Sequence, residues 1–285
     1  MTKDRKIDKI LKSKATIEGA GVKLKRAFGF HEVPLLDPFL LLDHFGSDKP
    51  EDYMAGFPWH PHRGIETVTY MLSGAVEHGD SLGNSGTIHS GDLQWMTAGS
   101  GIIHQEMPQE YDGLMQGFQL WVNLPKSHKM MEPRYREVKK EDIPEIQRPD
   151  GITIKVISGQ VDGVSGPAQD IVVDIQYLDV TLPPNHKWQH PIKKGYKAFA
   201  YVITGQGFFE VQMEKTVANE HLAVFQDGDR VSITSKEQGL RFLLVSGKPL
   251  GEPVAWGGPI VMNTQEELNL AFKEFNEGTF IKPNA

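Results

Sequence analysis

GFPWHPHRGIETVTYMLSG, residues 56–74, and GDLQWMTAGSGIIHQEMP, residues 91–108, are the two segments from which both the fold and the chemistry are read. Each carries a run rich in Val, Ile, Thr, Tyr, Met or Trp bounded by glycine, the mark of a short β-strand. His60 and His62 are two apart around Pro61, so on an extended chain their side chains project to one face. His104 and Glu106 repeat that spacing. When the two segments are neighbours in one sheet or barrel, three imidazoles and a carboxylate meet inside it.

Three neutral nitrogens and one carboxylate oxygen suit a first-row divalent metal: iron, copper, nickel, manganese or zinc. Calcium and magnesium prefer oxygen shells. Four such ligands on an octahedral ion leave two positions for substrate or dioxygen. Glu66, four residues after His62, competes with Glu106 for the fourth place or stands behind an imidazole and orients it. Pro61 pre-sets the backbone between the first two histidines. His78 and His89 flank the turn-rich DSLGNSG and read as solvent-facing loop residues. Phe57, Trp59, Trp95, Met96 and Met107 stand nearest to the ligands in sequence and either line an apolar slot or belong to the barrel core.

Working outward, similar runs recur along the chain, among them GFQLWVNL, GITIKVISG, DIQYLDVTL, KAFAYVITG, GFFEVQM and RFLLVSG. This punctuation predicts an all-β sandwich or barrel, and Gly205 and Gly207 read as a hairpin turn. One helix is expected near the end, opened by the capping box Thr264 and Glu267 and closed at Gly278, with Leu268, Ala271, Phe272 and Phe275 on one face. KKEDIPEIQRPDG, residues 139–151, reads as a linker between domains at 1–138 and 152–285.

The halves resemble degenerate copies. TVTYMLSG ends at Gly74 and is followed by Gly91-Asp92, while AFAYVITG ends at Gly205 and is followed by Gly228-Asp229. That alignment sets Pro191 and Lys193 opposite His60 and His62, and Arg241 and Leu243 opposite His104 and Glu106, so the second half lacks the metal set. One metal per chain is expected.

Composition narrows the remaining classes. The 285 residues include 30 Lys and Arg against 37 Asp and Glu, a net charge of −7 that disfavours direct nucleic-acid binding. No apolar run approaches the roughly 18 residues of a membrane span, and MTKDRKIDK shows no secretory signal. There is no cysteine, hence no disulfide and no thiolate site, which fits a cytoplasmic location, or a nuclear one in a eukaryote. GSGIIH, residues 99–104, has His104 in place of the third glycine of a dinucleotide fingerprint, so no nucleotide cofactor is expected. Two complete barrels predict a monomer.

With both segments in view, and with LDPFLLLDHF, LWVNLP and GGPIVMNT at matching places along nearly the whole chain, the sequence resembles the pirins of the cupin superfamily. The resemblance implies a bicupin, two tandem jelly-roll-like cupin barrels with a few short helices and a C-terminal helix. It also implies Fe(II) held by His60, His62, His104 and Glu106. Gly99 where many cupins have proline, and His-x-Glu in the second motif, are pirin-like departures that favour Glu106 over Glu66. Two activities follow from the resemblance. One is a quercetin 2,3-dioxygenase opening a flavonol ring with O2, in which Glu106 is the catalytic base. The other is a non-catalytic, iron-dependent redox sensor that acts through a protein partner, as a transcriptional cofactor or on a metabolic enzyme. An open site with an internal base favours the dioxygenase.

Overall fold

The computed structural model describes residues 2–282. It is all-β apart from short 3-10 turns and one α-helix, Gln265–Asn276. The chain divides into two compact units, and neither is a continuous stretch of sequence.

The first unit comprises Ala15–Val33, Phe39–Lys140 and the segment from Leu250 on. Its seven-stranded sheet runs Arg134–Val138, Leu93–Thr97, Ile65–Ser73, Met115–Asn123, Phe39–Ser47, Val22–Phe28 and Lys14–Glu18. A four-stranded sheet follows the order Phe57–His62, Ile102–Pro108, Ala75–Asp80 and Ser85–His89. Ile65–Ser73 is buried along its first seven residues because it is covered on both faces, which is why it reads as nearly unbroken Ile, Thr, Val, Tyr and Met. Apolar clusters form around Met71, Val76 and Met115 and around Ile65, Met96 and Ile102.

The second unit comprises the residues up to Lys14, Pro34–Pro38 and Glu141–Pro249. It is built on a nine-stranded sheet dominated by two long strands, Lys197–Phe208 and Arg230–Gly247. Its interior is a single large apolar cluster that includes Val156, Leu178, Trp188, Ala200, Phe242 and Leu244.

Several expectations change at this level. Strand Ile7–Lys12 pairs with His221–Phe225 in the second unit, and the helix packs through Leu268 and Ala271 against Ile260, Met262 and Phe280 of the first. The units therefore differ from a division at 138 and 152, because long-range pairing decides membership. Phe272 and Phe275 stay more than a third exposed, so the buried face of the helix is narrower than its spacing predicted. The linker is partly structured: Glu145–Gln147 forms an edge strand on Thr153–Ser158. Gly205 and Gly207 do not make a hairpin. They lie inside one continuous strand whose register shifts between them, and at Gly205 (φ +79°) a Cβ would stand 2.2 Å from the Gly239 carbonyl oxygen.

The two Gly-Asp turns are not equivalent either. Gly91-Asp92 leads into Leu93–Thr97, which borders Ile65–Ser73. The strand that borders Lys197–Phe208 in the same way is His221–Phe225. Arg241 and Leu243 thus fall on the counterpart of Met115–Asn123 and not opposite His104 and Glu106. The strand that pairs as Ile102–Pro108 does is the start of Arg230–Gly247.

Candidate metal centre

Strands Phe57–His62 and Ile102–Pro108 run antiparallel with His104 opposite His60 and Ile102 opposite His62. Residues directly opposite share a face of the sheet. His60, His62 and His104 accordingly converge, with ligand-capable atoms all within 4.8 Å of one another. Nε2 of His60 lies 3.1 Å from Nε2 of His62 and 2.9 Å from Nε2 of His104. The opposite edges of two rings fix their tautomers. His60 Nδ1–H donates to the Pro58 carbonyl at 2.9 Å, and His62 Nδ1–H to the Pro259 carbonyl at 3.0 Å.

Those assignments leave the Nε2 lone pairs of His60 and His62 facing one another with no proton between them, an arrangement that repels itself unless a cation sits among them. Burial and the neighbouring imidazoles keep the rings neutral: His62 is pushed down to about 3, His104 well below the usual imidazole range, and His60 downward as well. Neutral, convergent imidazoles, two of them buried, fit a transition-metal ion.

Glu106 stands outside this three-histidine cluster. Its carboxylate is buried, with Oε1 3.0 Å from Thr69 Oγ1 and Oε2 accepting from Gln119 Nε2 at 3.1 Å. Burial raises its pKa, and the bonds to Thr69 and Gln119 oppose that shift. Glu66 does not join the cluster. It accepts from Thr97 Oγ1 at 2.7 Å, because Gly64 (φ +76°) ends the first strand and the alternation of faces is not carried across it. At Gly64 a Cβ would stand 2.0 Å from the Val261 carbonyl oxygen, so the turn has no room for a side chain.

His60 and His62 open on a cavity of about 800 Å³, within the range of about 300–1,000 Å³ usual for small-molecule sites. His60, His62, Glu106, Thr69 and Gln119 line it together with Leu41, Phe45, Phe57, Met115 and Trp121. Of these five side chains only Phe57 lines the cavity. Trp59 is 55% exposed, and Trp95 and Met96 are buried elsewhere in the fold. Trp95 and Met96 thus take the core alternative, and the rest of the wall comes from strands distant along the chain. Farther along the wall Arg26 holds Asp43 in a two-pronged ion pair, Nε to Oδ1 at 2.8 Å and Nη2 to Oδ2 at 2.7 Å.

His89 is exposed, as expected, but it ends the strand Ser85–His89, and His78 is not a loop residue either. It lies in Ala75–Asp80, fully buried. The sequence signal was present, since V-E-H-G-D alternates as a strand does, but the glycines that follow masked it. Among the described residues no other group of three or more metal-capable side chains forms, and no helix is long and apolar enough to cross a membrane.

Residues 21–122 match the family model described as Pirin, and residues 177–281 match that of the pirin C-terminal cupin domain. A pirin-like protein of Caulobacter vibrioides is 45% identical over 97% of this chain and 99% of its own length. Human pirin is 42% identical over 96% and 93%, respectively. Among solved structures, quercetin 2,3-dioxygenase from Acinetobacter baumannii superposes with a TM-score of 0.90 at 33% identity, covering 98% of this chain and 99% of that one.

Proposed function

The chain belongs to the pirin family, with a cupin barrel in each half, and from that premise we propose that it is an iron-dependent dioxygenase acting on a flavonol of the quercetin type. The observation that carries this reading is the set of three convergent, neutral imidazoles, two of which line a largely apolar cavity together with a buried carboxylate. The name of the Acinetobacter baumannii structure supports the substrate class.

His60, His62 and His104 hold the metal, and Glu106 completes the set when the ion is bound. Bound Fe(II) supplies Lewis acidity toward the substrate's hydroxyl and carbonyl oxygens and electrons for dioxygen. Phe45, Phe57, Met115 and Trp121 receive the flat rings and exclude water. Glu106 takes the proton of the flavonol 3-hydroxyl.

The surrounding bonds are suited to that transfer. Thr69 Oγ1 lies 3.0 Å from Glu106 Oε1 and 2.8 Å from Gln119 Oε1, yet it has one proton for two acceptors. With a proton on Glu106 Oε1 the chain is complete: Glu106 donates to Thr69, and Thr69 donates to Gln119. Gln119 Nε2 holds the other carboxylate oxygen, so the base stays aimed before and after transfer.

The test is anaerobic reconstitution with Fe(II), followed by oxygen uptake and loss of flavonol absorbance with quercetin. Metal-free protein serves as control. Glu106→Gln is expected to retain iron while turnover falls about 10²–10⁴-fold, the usual contribution of a general base. Undiminished turnover in that variant would remove Glu106 from the chemistry. Tight iron binding by the wild-type chain without turnover would move the function to the redox-sensing, partner-binding alternative.

A further inference from the structure

His104 differs from the other two imidazoles of the cluster. His60 and His62 each commit Nδ1–H to a backbone carbonyl, whereas Nδ1 of His104 is buried without a partner. An imidazole that turns Nε2 to a metal carries its proton on Nδ1, and that N–H almost always finds an acceptor.

The neighbouring strand brings one near. Ala75–Asp80 pairs with Ile102–Pro108 so that Asp80 lies opposite His104 and His78 opposite Glu106, placing all four on one face. The side chains of His78 and Asp80 are both 0% exposed, with His78 Nε2 3.2 Å from Asp80 Oδ2. Asp80 is itself fixed: Oδ1 accepts from the backbone N–H of Leu82 and of Asn84, and Oδ2 accepts from Asn84 Nδ2. Tyr135 stacks on the His78 ring with centroids 4.8 Å apart.

With Nε2–H donated to Asp80, neutral His78 has its lone pair on Nδ1, and that atom too is buried without a partner. The His78 and His104 rings lie 5.4 Å apart at a tilt of 56°. One unpaired donor and one unpaired acceptor thus stand on adjacent buried rings.

We propose that in the metal-loaded protein His104 Nδ1–H donates to His78 Nδ1, and that Asp80 makes His78 an acceptor by holding its proton on Nε2. The inference rests on the metal reading above. His78 and Asp80 are positioning residues: they set the tautomer and ring plane of His104 from outside the three-histidine cluster.

Zinc, a diamagnetic probe for the same donor set, gives a direct test by NMR of the ¹⁵N-histidine-labelled full chain. The expected result is a slowly exchanging ring N–H on His104 with scalar coupling across the hydrogen bond to His78 Nδ1, and a His78 protonated at Nε2. Asp80→Asn should abolish that coupling, because an amide N–H facing Nε2 moves the His78 proton to Nδ1 and sets donor against donor. His78→Leu should lower zinc affinity about 10–100-fold, while His78→Gln, whose amide oxygen can accept, should restore most of it. A wild-type spectrum without the coupling would overturn the inference even if His78→Leu failed to fold. Equal zinc affinity in wild type and His78→Leu would overturn it as well. A wild-type chain that takes up no zinc would overturn the metal reading, and this inference with it.

Discussion

In the first unit Phe57–His62 lies antiparallel to Ile102–Pro108 with His60 opposite His104; in the second, Lys187–Pro191 lies antiparallel to the start of Arg230–Gly247 with Trp188 opposite Ile233 and His190 opposite Val231. One pairing scheme thus presents three imidazoles in one unit and two large apolar side chains with a single imidazole in the other. The contrast continues on the central strands. Gln119 sits between Asp43 and Thr69, while Leu244 sits between Leu178 and Ala200. Strand order does not require the polar set, since the second unit closes the same ladder around an apolar interior. Buried polar groups cost stability unless fully partnered.

The contrast can be broken most severely at the ligands. His62→Ala should lower metal affinity by more than the roughly 100-fold typical of groups that only orient a ligand, as read by zinc titration. Unfolding of the second unit should be unaffected.

The imidazole on the equivalent strand of the second unit, His190, offers the next test. His190 stacks on Trp188 and bonds to Gln176 Oε1 at 2.7 Å, and burial pushes it down to about 4. The unfolded chain takes up this proton near pH 6.5. The associated stability is therefore fully present above about pH 6.5 and is lost as pH falls to about 4, a change of about 3 kcal/mol. Urea unfolding of His190→Gln should show a correspondingly shallower loss than wild type over that window.

Gln119→Leu gives the first unit the residue that Leu244 represents in the second. It removes an amide donor from a buried carboxylate and should cost about 2 kcal/mol in the metal-free protein, read by denaturant midpoint. The smallest effect concerns the helix, found in the first unit alone among the described residues. Thr264 accepts from Glu267 N–H at 3.2 Å and Glu267 Oε2 accepts from Thr264 N–H at 3.1 Å, so Thr264→Ala should cost about 1 kcal/mol by thermal unfolding.

The barrels and the histidine cluster were legible because short strands and same-face pairs depend on neighbours two residues apart. The capping box was legible because Thr264 and Glu267 are only three residues apart. What escaped depends on distant partners. Unit membership is set by pairing across more than 200 residues, as with Ile7–Lys12 on His221–Phe225. The side chains of the cavity wall come from strands that sequence order does not bring together. Burial of His78 requires the register of Ala75–Asp80 on Ile102–Pro108. The misaligned second Gly-Asp turn shows the limit of matching turns alone: two residues recur easily, whereas the order of pairing identifies the equivalent strand.

The discontinuous first unit has a consequence for biosynthesis. Chains leave the ribosome N-terminus first, and domains fold as they emerge. The first unit takes its last segment from Leu250 on, so the whole second unit is translated before the first is complete. Until Pro259 has been added, His62 has no carbonyl to hold its tautomer. Until Glu274 and Phe280 follow, the buried Arg63 guanidinium beside it has neither its carboxylate at 2.7 Å nor its carbonyl at 2.8 Å. A nascent or prematurely terminated chain therefore displays all three histidines before the contacts that hold His62 and Arg63 are in place.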